Sequence, residues 1–350
     1  MTALTAPTQA VAAPDEALAP IPWRGMTWVT WRQHRAALAG LVAALGGLAV
    51  YLWVSGLELH HDYAVAAACR PAGSATCAAL ASAFTAKNSF LTNGLVLQVL
   101  PPLMGAFVGA PWLARELETG TFRFAWTQGL GRRRWVHTKL AALALVVTGA
   151  ATAMGALFSW YYGPYFAPGN QALGLPRSTP LAPGLFDLRA IVFPAWTLGA
   201  FALGCLAAIV LRRVVPAIVV TLAVYSALAV AVGGVLRQHY LAPLVTRALT
   251  VPSTAWVLSR RWFTSAGRPR SPAAIAQALQ QGAPQLAGKG GVPDAIGPWR
   301  YLVRHGFVQV TTYQPAARFW PFQSIEGGWL LALSAVAMVV TVRLVRRRPA

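Results

Sequence analysis

The stretch Arg115–Lys139, RELETGTFRFAWTQGLGRRRWVHTK, holds eight charged residues in twenty-five positions. On both sides of it the chain is almost free of charge: Gly94 to Ala114 and Leu140 to Tyr161 contain none. Each flank matches the roughly 20 apolar residues that a helix needs to cross a bilayer core of about 30 Å. The quoted stretch therefore reads as a loop between two membrane spans, and that reading sets the class of the whole protein.

The composition agrees. Of 350 residues, 56% are apolar and only 11% charged, with a mean hydropathy of +0.52, which points away from a string of soluble domains. Six runs are long and apolar enough to be spans: 36–57, 94–114, 140–161, 190–211, 214–236 and 327–342, with the last extended towards Val345 by a snorkelling Arg343. The expected fold is an all-α polytopic membrane protein with six transmembrane helices, divided as follows. Residues 1–22 form a disordered, cytoplasmic, Ala- and Pro-rich tail, and 23–35 a Trp- and Arg-rich interfacial segment or the ordinary flank of the first span. Residues 36–236 carry spans 1 to 5 with the charged loop 115–139, and 237–326 form an extracytoplasmic segment. Residues 327–345 are span 6 and 346–350 a basic cytoplasmic tail. The tail 1–22 lacks the basic start of a signal peptide, so the first span is expected to remain as an anchor.

A net charge of +20 raises the question of nucleic acid. With both termini inside, however, fifteen Lys and Arg fall in the inner segments: Arg24, Arg32 and Arg35, six in the quoted stretch, Arg212 and Arg213, and Arg343, Arg346, Arg347 and Arg348. The short outer loops hold four, Arg70, Lys87, Arg177 and Arg189. The charge is thus a topology signal with attraction to anionic membrane lipids, and no nucleic-acid partner is expected.

Within the spans, Pro101 and Pro102 remove two backbone donors and predict a kink in span 2, while Gly105 and Gly109 form a small-xxx-small face for close helix packing. This suits a pore wall, although Gly and Pro are common in any membrane helix. Spans 4 and 5 are joined only by Arg212 and Arg213. In the outer segment, PLVTRALTVPSTAWVLS (243–259), broken by Pro243 and Pro252, predicts helices on or re-entering the membrane surface. SPAAIAQALQQ (271–281) predicts a short helix behind a Ser cap, and 282–297 a flexible connector.

Catalytic chemistry finds little support. The nearest approach to a phosphate-binding loop, GAPQLAGKGG (282–291), spaces Gly282 and Gly288 one residue too far apart and lacks the hydroxyl, so ATP is not expected on this chain. The nine acids, among them Asp187 and Glu326, all fall outside the middle of the spans, which weighs against ion-coupled transport. His60, His61 and Asp62 read as interfacial side chains rather than a metal site, and no metal is expected. Cys69 and Cys77 in the first outer loop form either a disulfide or two free thiols. Cys205 reads as a small packing residue.

The quoted stretch has a second reading. Arg115, Thr119 and Arg123 recur at i, i+4, as do Glu118, Phe122 and Trp126, so a helix there presents a charged and a partly aromatic stripe suited to a soluble partner. Its sequence, with Glu116, Glu118, Gly120, Thr121, Arg132, Arg133 and Lys139, resembles the loop between spans 2 and 3 in permease subunits of type-2 ATP-binding-cassette transporters. TWRQHR and TYQPAARFWPFQSIEGGWLLAL resemble a high-GC Gram-positive subgroup of them. The apolar run here uses Phe122, Phe124 and Trp126 where leucines are common, a frequent Pro in the turn is absent, and the outer segment is longer than the family's short re-entrant helices. The resemblance implies a coupling helix at Arg115, Glu116, Glu118, Thr119, Gly120, Thr121, Phe122, Arg123 and Trp126 that contacts a separate cassette ATPase. It also implies two ATPase copies holding ATP and magnesium, a second copy of this chain or a related permease, and export across the cell membrane of an amphipathic or lipid-like substrate. A membrane enzyme or a sensor using residues 237–326 is the alternative, with Asp294, Glu326, His239 and His305 as the acid/base groups available to an enzyme.

Overall fold

A computed structural model describes residues 23–71, 74–86, 90–119, 132–167, 170, 178–283 and 296–346. Helix α1, Trp23–Ala68, runs unbroken for 46 residues, about 69 Å at the helical rise. The interfacial segment and the first span are therefore one helix, whose membrane-crossing part is Val42–Ala68. The helix also runs past Leu57, through Glu58, His60, His61 and Asp62, to Ala68. A loop closed by a Cys69–Cys77 disulfide, Cα atoms 5.7 Å apart, turns the chain into α2, Ala75–Ala86. There Phe84 packs between Tyr63 and Tyr165.

The other membrane-crossing helices are Gly94–Arg115, Val136–Tyr161, Val192–Leu211, Val214–His239 and Ala316–Arg346. The second is a composite. Helix α3, Phe90–Leu103, contains both prolines; the chain then widens into π-helical turns over Met104–Gly109 and resumes as α4, Ala110–Thr119. The irregularity expected from Pro101 and Pro102 thus takes the form of a π stretch, one of the few ways a helix re-satisfies backbone groups inside a membrane.

Helix α5, Arg132–Tyr161, leads to α6, Val192–Leu211, the central element, which touches α3, α4, α5 and the helices Val214–Ala231 and Phe319–Arg346. Its sequence, VFPAWTLGAFALGCLAAIVL, is rich in Ala and Gly, so neighbours approach closely. A Cβ at Gly204 would lie 2.3 Å from the Gly105 carbonyl oxygen, one at Gly105 would lie 2.5 Å from that of Ala200, and one at Gly109 would lie 2.6 Å from that of Phe201. Gly105 and Gly109 therefore both meet α6, Gly105 also faces Thr221 of span 5, and Cys205 is buried in the same seam with its Sγ towards the Gly109 carbonyl. Arg212, in the left-handed conformation, closes α6, and Arg213 starts α7, Val214–Ala231. Outward-facing Val215, Val219, Val230, Val336 and Val339 are exposed, as lipid-facing positions require.

The segment between spans 5 and 6 corrects the all-α expectation. It holds a four-stranded antiparallel sheet in the order β1-β4-β2-β3. The strands are β1 Leu244–Thr246, β2 Trp256–Thr264, β3 Pro269–Arg270 and β4 Phe307–Gln314. The stretch 243–259 is thus loop and strand, not surface helices. WVLSRRWFT and FVQVTTYQ are rich in aromatic and β-branched residues, and each lies next to turn-forming Gly or Pro, which is a strand signature. Helix α8, Pro272–Gly282, forms where the Ser271 cap predicts it, with the Ala274 N–H donating to Ser271 Oγ at 3.2 Å. It packs with α9, Ile296–Arg304, through Ile275, Leu279 and Leu302. Helix α10, Phe319–Arg346, then crosses back, starting eight residues before Gly327.

Candidate functional site

The earlier start of α10 has a chemical consequence: Glu326 lies inside a membrane-crossing helix and is fully buried. The expected start of span 6 at Gly327 left Glu326 just outside the helix; the structure places it inside. Glu326 is accommodated because each carboxylate oxygen accepts twice. Oε1 accepts from Arg237 Nη2 at 2.8 Å and from Trp196 Nε1 at 3.0 Å; Oε2 accepts from Arg237 Nε at 2.9 Å and from the Tyr240 hydroxyl at 3.1 Å. A carboxylate saturated in this way has the pattern of a structural ion pair, not of a proton relay.

Arg237, at the end of span 5 and 1% exposed, serves a second carboxylate. Its Nη1 and Nη2 also reach Asp187, on the turn before α6, and its guanidinium lies 4.5 Å from the centre of the Phe186 ring. Asp187 differs from Glu326 in keeping a quarter of its side chain exposed. Burial raises the Asp187 carboxyl above its ordinary range; Arg237 opposes the rise, and Glu326 adds to it. Two residues on, burial lowers the Arg189 guanidinium to about 10, while the rings of Phe166 and Phe319 cover it.

One helical turn before Glu326, Gln323 ties α10 to the same turn. Its Oε1 accepts from the Ile191 and Val192 N–H groups at 3.1 and 3.0 Å, and its Nε2 donates to the Phe186 carbonyl at 3.1 Å. Those N–H groups begin α6 and have no partner within the helix, so a side chain 131 residues away caps it.

Beside this junction lies a cavity of about 590 Å³ between spans 2, 4 and 5, within the usual size range of small-molecule sites. Leu95, Val99, Phe193, Trp196, Tyr225 and Val230 supply its apolar wall, and Pro101 and Pro102 the surface that their missing N–H groups leave. Asp187 and Arg237 form its charged end. Leu95, Val99 and Val230 are exposed on the bundle surface, so the cavity opens sideways among the spans.

The opposite end of the bundle carries the described parts of the charged stretch, 115–119 and 132–139. Glu116 and Thr119 lie in the α4 backbone and Arg115 is exposed on it, whereas Gly120, Thr121, Phe122, Arg123 and Trp126 fall outside the described residues. Glu118 Oε2 accepts from the Val214 N–H at 3.3 Å, placing an acid at the N-terminus of span 5, where the helix dipole favours it. Lys139 is buried at the start of span 3. No group of three or more metal-binding side chains occurs among the described residues. His60 Nε2 instead pairs with the Trp160 carbonyl at 2.9 Å, with its ring stacked on that indole.

Sequence reasoning missed the junction for a simple reason. In the sequence Arg237, Glu326 and Asp187 each border an uncharged run, where charge is ordinary, and Arg237 is separated from the two acids by 89 and 50 positions.

A family model described as ABC-2 membrane transporter related matches residues 42–237. Searches of curated proteins and of solved structures gave no match.

Proposed function

The chain belongs to the ABC-2 membrane transporter-related family, and from that premise we propose that it is the membrane-spanning subunit of an ATP-driven exporter. The observation that carries the reading is the family match across spans 1 to 5 in a chain with six apolar membrane-crossing helices. Members of this kind form the membrane part of a transporter and imply a cassette ATPase as partner. ATP and magnesium reside on that ATPase, present in two copies, with this chain paired to a second copy or to a related permease in the cell membrane. Both termini and the 115–139 stretch face the cytoplasm, and the stretch forms the coupling helix.

The contacts support a route of coupling. A push on the Arg115–Trp126 stretch moves α4, and α4 holds the first N–H of span 5 through Glu118. The same push passes through the π stretch at Met104–Gly109, which packs on α6 and α7. Spans 2, 4 and 5 are the walls of the cavity, so their relative movement reshapes it, an alternation of packed helices in the hinge and shear sense. The cargo consistent with those walls is amphipathic or lipid-like.

The enzyme reading is not favoured: His239 and His305 bond to the backbone carbonyls one helical turn back, and Glu326 is consumed by Arg237. Purification of the tagged chain from its native membrane in mild detergent tests the proposal. A near-stoichiometric ATPase with a phosphate-binding loop is expected; recovery of lipid or copies of this chain alone would overturn it.

A further inference from the structure

We propose that the cavity between spans 2, 4 and 5 is a binding site for lipophilic organic cations, with Asp187 as the group that receives the positive charge. The proposal deepens the exporter reading and rests on it for the step from binding to transport; the site itself requires no partner.

The charge distribution at the junction carries it. One guanidinium, Arg237, serves two carboxylates, so the cluster holds one negative charge in excess. The excess is not shared evenly. Glu326 is fully buried, and both of its oxygens are saturated by Arg237, Trp196 and Tyr240. Asp187 keeps a quarter of its side chain exposed and lines the cavity. Burial lifts the Asp187 carboxyl, with Glu326 adding to the lift and Arg237 opposing it, and a cation held beside it would favour the charged form. Arg237 and Asp187 are the charged residues among those lining the cavity, and Arg189, close in sequence, is held over Phe166 and Phe319 instead.

The rest of the wall selects the body of the ligand. Phe193, Trp196 and Tyr225 offer aromatic surface beside the acid, and aromatic faces attract cations as well as apolar groups. Leu95, Val99 and Val230 carry the apolar lining out to the bundle surface, so a ligand dissolved in the lipid enters sideways. An anion of equal size meets the same apolar wall but faces the excess negative charge. In a site of low polarity that difference is large.

Tetraphenylphosphonium and tetraphenylborate have nearly the same shape and opposite charge, which makes them a direct probe. Their affinities are measured by titration calorimetry on the purified full chain in zwitterionic detergent, for the wild type, Asp187→Asn and Ser226→Lys. Asp187→Asn is expected to weaken the cation at least tenfold, ~1.4 kcal/mol, and to strengthen the anion, because the negative charge that opposes it is gone. The ratio to wild type cancels partition into detergent. Ser226 lines the same cavity without touching the ionic cluster, so Ser226→Lys is expected to weaken the cation and strengthen the anion, and it decides the matter if Asp187→Asn does not fold. Equal effects on both ions in either variant, or no saturable binding of the cation to wild type, would overturn the proposal. Recovery of the ATPase partner is read by purification alone, so either conclusion can fail without the other.

Discussion

Arg237 meets Glu326 side-on, Nε to Oε2 at 2.9 Å and Nη2 to Oε1 at 2.8 Å, joining the end of span 5 to the beginning of span 6 across 89 positions of sequence. Between those two residues the chain makes its entire four-stranded sheet and returns. The pair therefore closes the base of the non-membrane segment onto the bundle, and Gln314, whose Nε2 donates to the Leu241 and Gln238 carbonyls, and Arg318, which donates to the Ala242 carbonyl, brace the same neck.

Breaking the pair from one side is expected to be severe. Arg237→Met leaves Glu326 and Asp187 without their cation in a buried place, with a loss of about 3–5 kcal/mol. Arg237→Met combined with Glu326→Leu removes the fully buried pair and leaves only Asp187, a quarter exposed, without its cation, so part of that loss is expected to be recovered. Thermal unfolding in detergent of the single and double variants checks this; a double variant less stable than the single would contradict the account.

Gln323→Met keeps the volume but leaves the Ile191 and Val192 N–H groups without an acceptor. The expected loss is ~1–3 kcal/mol, with faster amide hydrogen exchange at the start of α6 and little change at its end. Uniform protection along α6 in the variant would show that the cap is not what holds that end.

Gly204→Leu drives a side chain into the Gly105 carbonyl, where even a Cβ would stand 2.3 Å away. Span 2 cannot yield without moving off span 4, so a loss of roughly 1–3 kcal/mol or more is expected from overpacking. Gly233→Leu, where a Cβ meets nothing within 4 Å, is expected to be close to neutral. Melting temperatures of the two variants, compared directly, separate close helix approach from a general intolerance of added bulk.

Glu118→Lys places a cation against the N-terminus of span 5, where the dipole opposes it by about 0.3–1 kcal/mol. In the assembled transporter the variant is expected to insert normally while substrate-stimulated ATP hydrolysis falls. Gly120→Pro is expected to leave insertion intact and to uncouple ATP hydrolysis from transport. ATPase assays beside vesicle flux on matched protein amounts read both; full transport by these variants would remove the coupling role of the segment.

The length and purity of the apolar runs announced six spans, because a membrane leaves a helix little alternative. The Ser271 cap announced α8, because capping is a local hydrogen bond. The family resemblance rested on the charged stretch Arg115–Lys139, again a local pattern. Tertiary structure decided the rest. Whether TAWVLSRRWFT becomes helix or strand depended on its finding Phe307–Gln314 as a partner, some fifty positions away, since a strand satisfies its backbone only through a neighbour. Whether Glu326 begins a span or lies within one depended on Arg237, Trp196 and Tyr240 arriving from two other parts of the chain, since a buried carboxylate persists only where its charge and lone pairs are met.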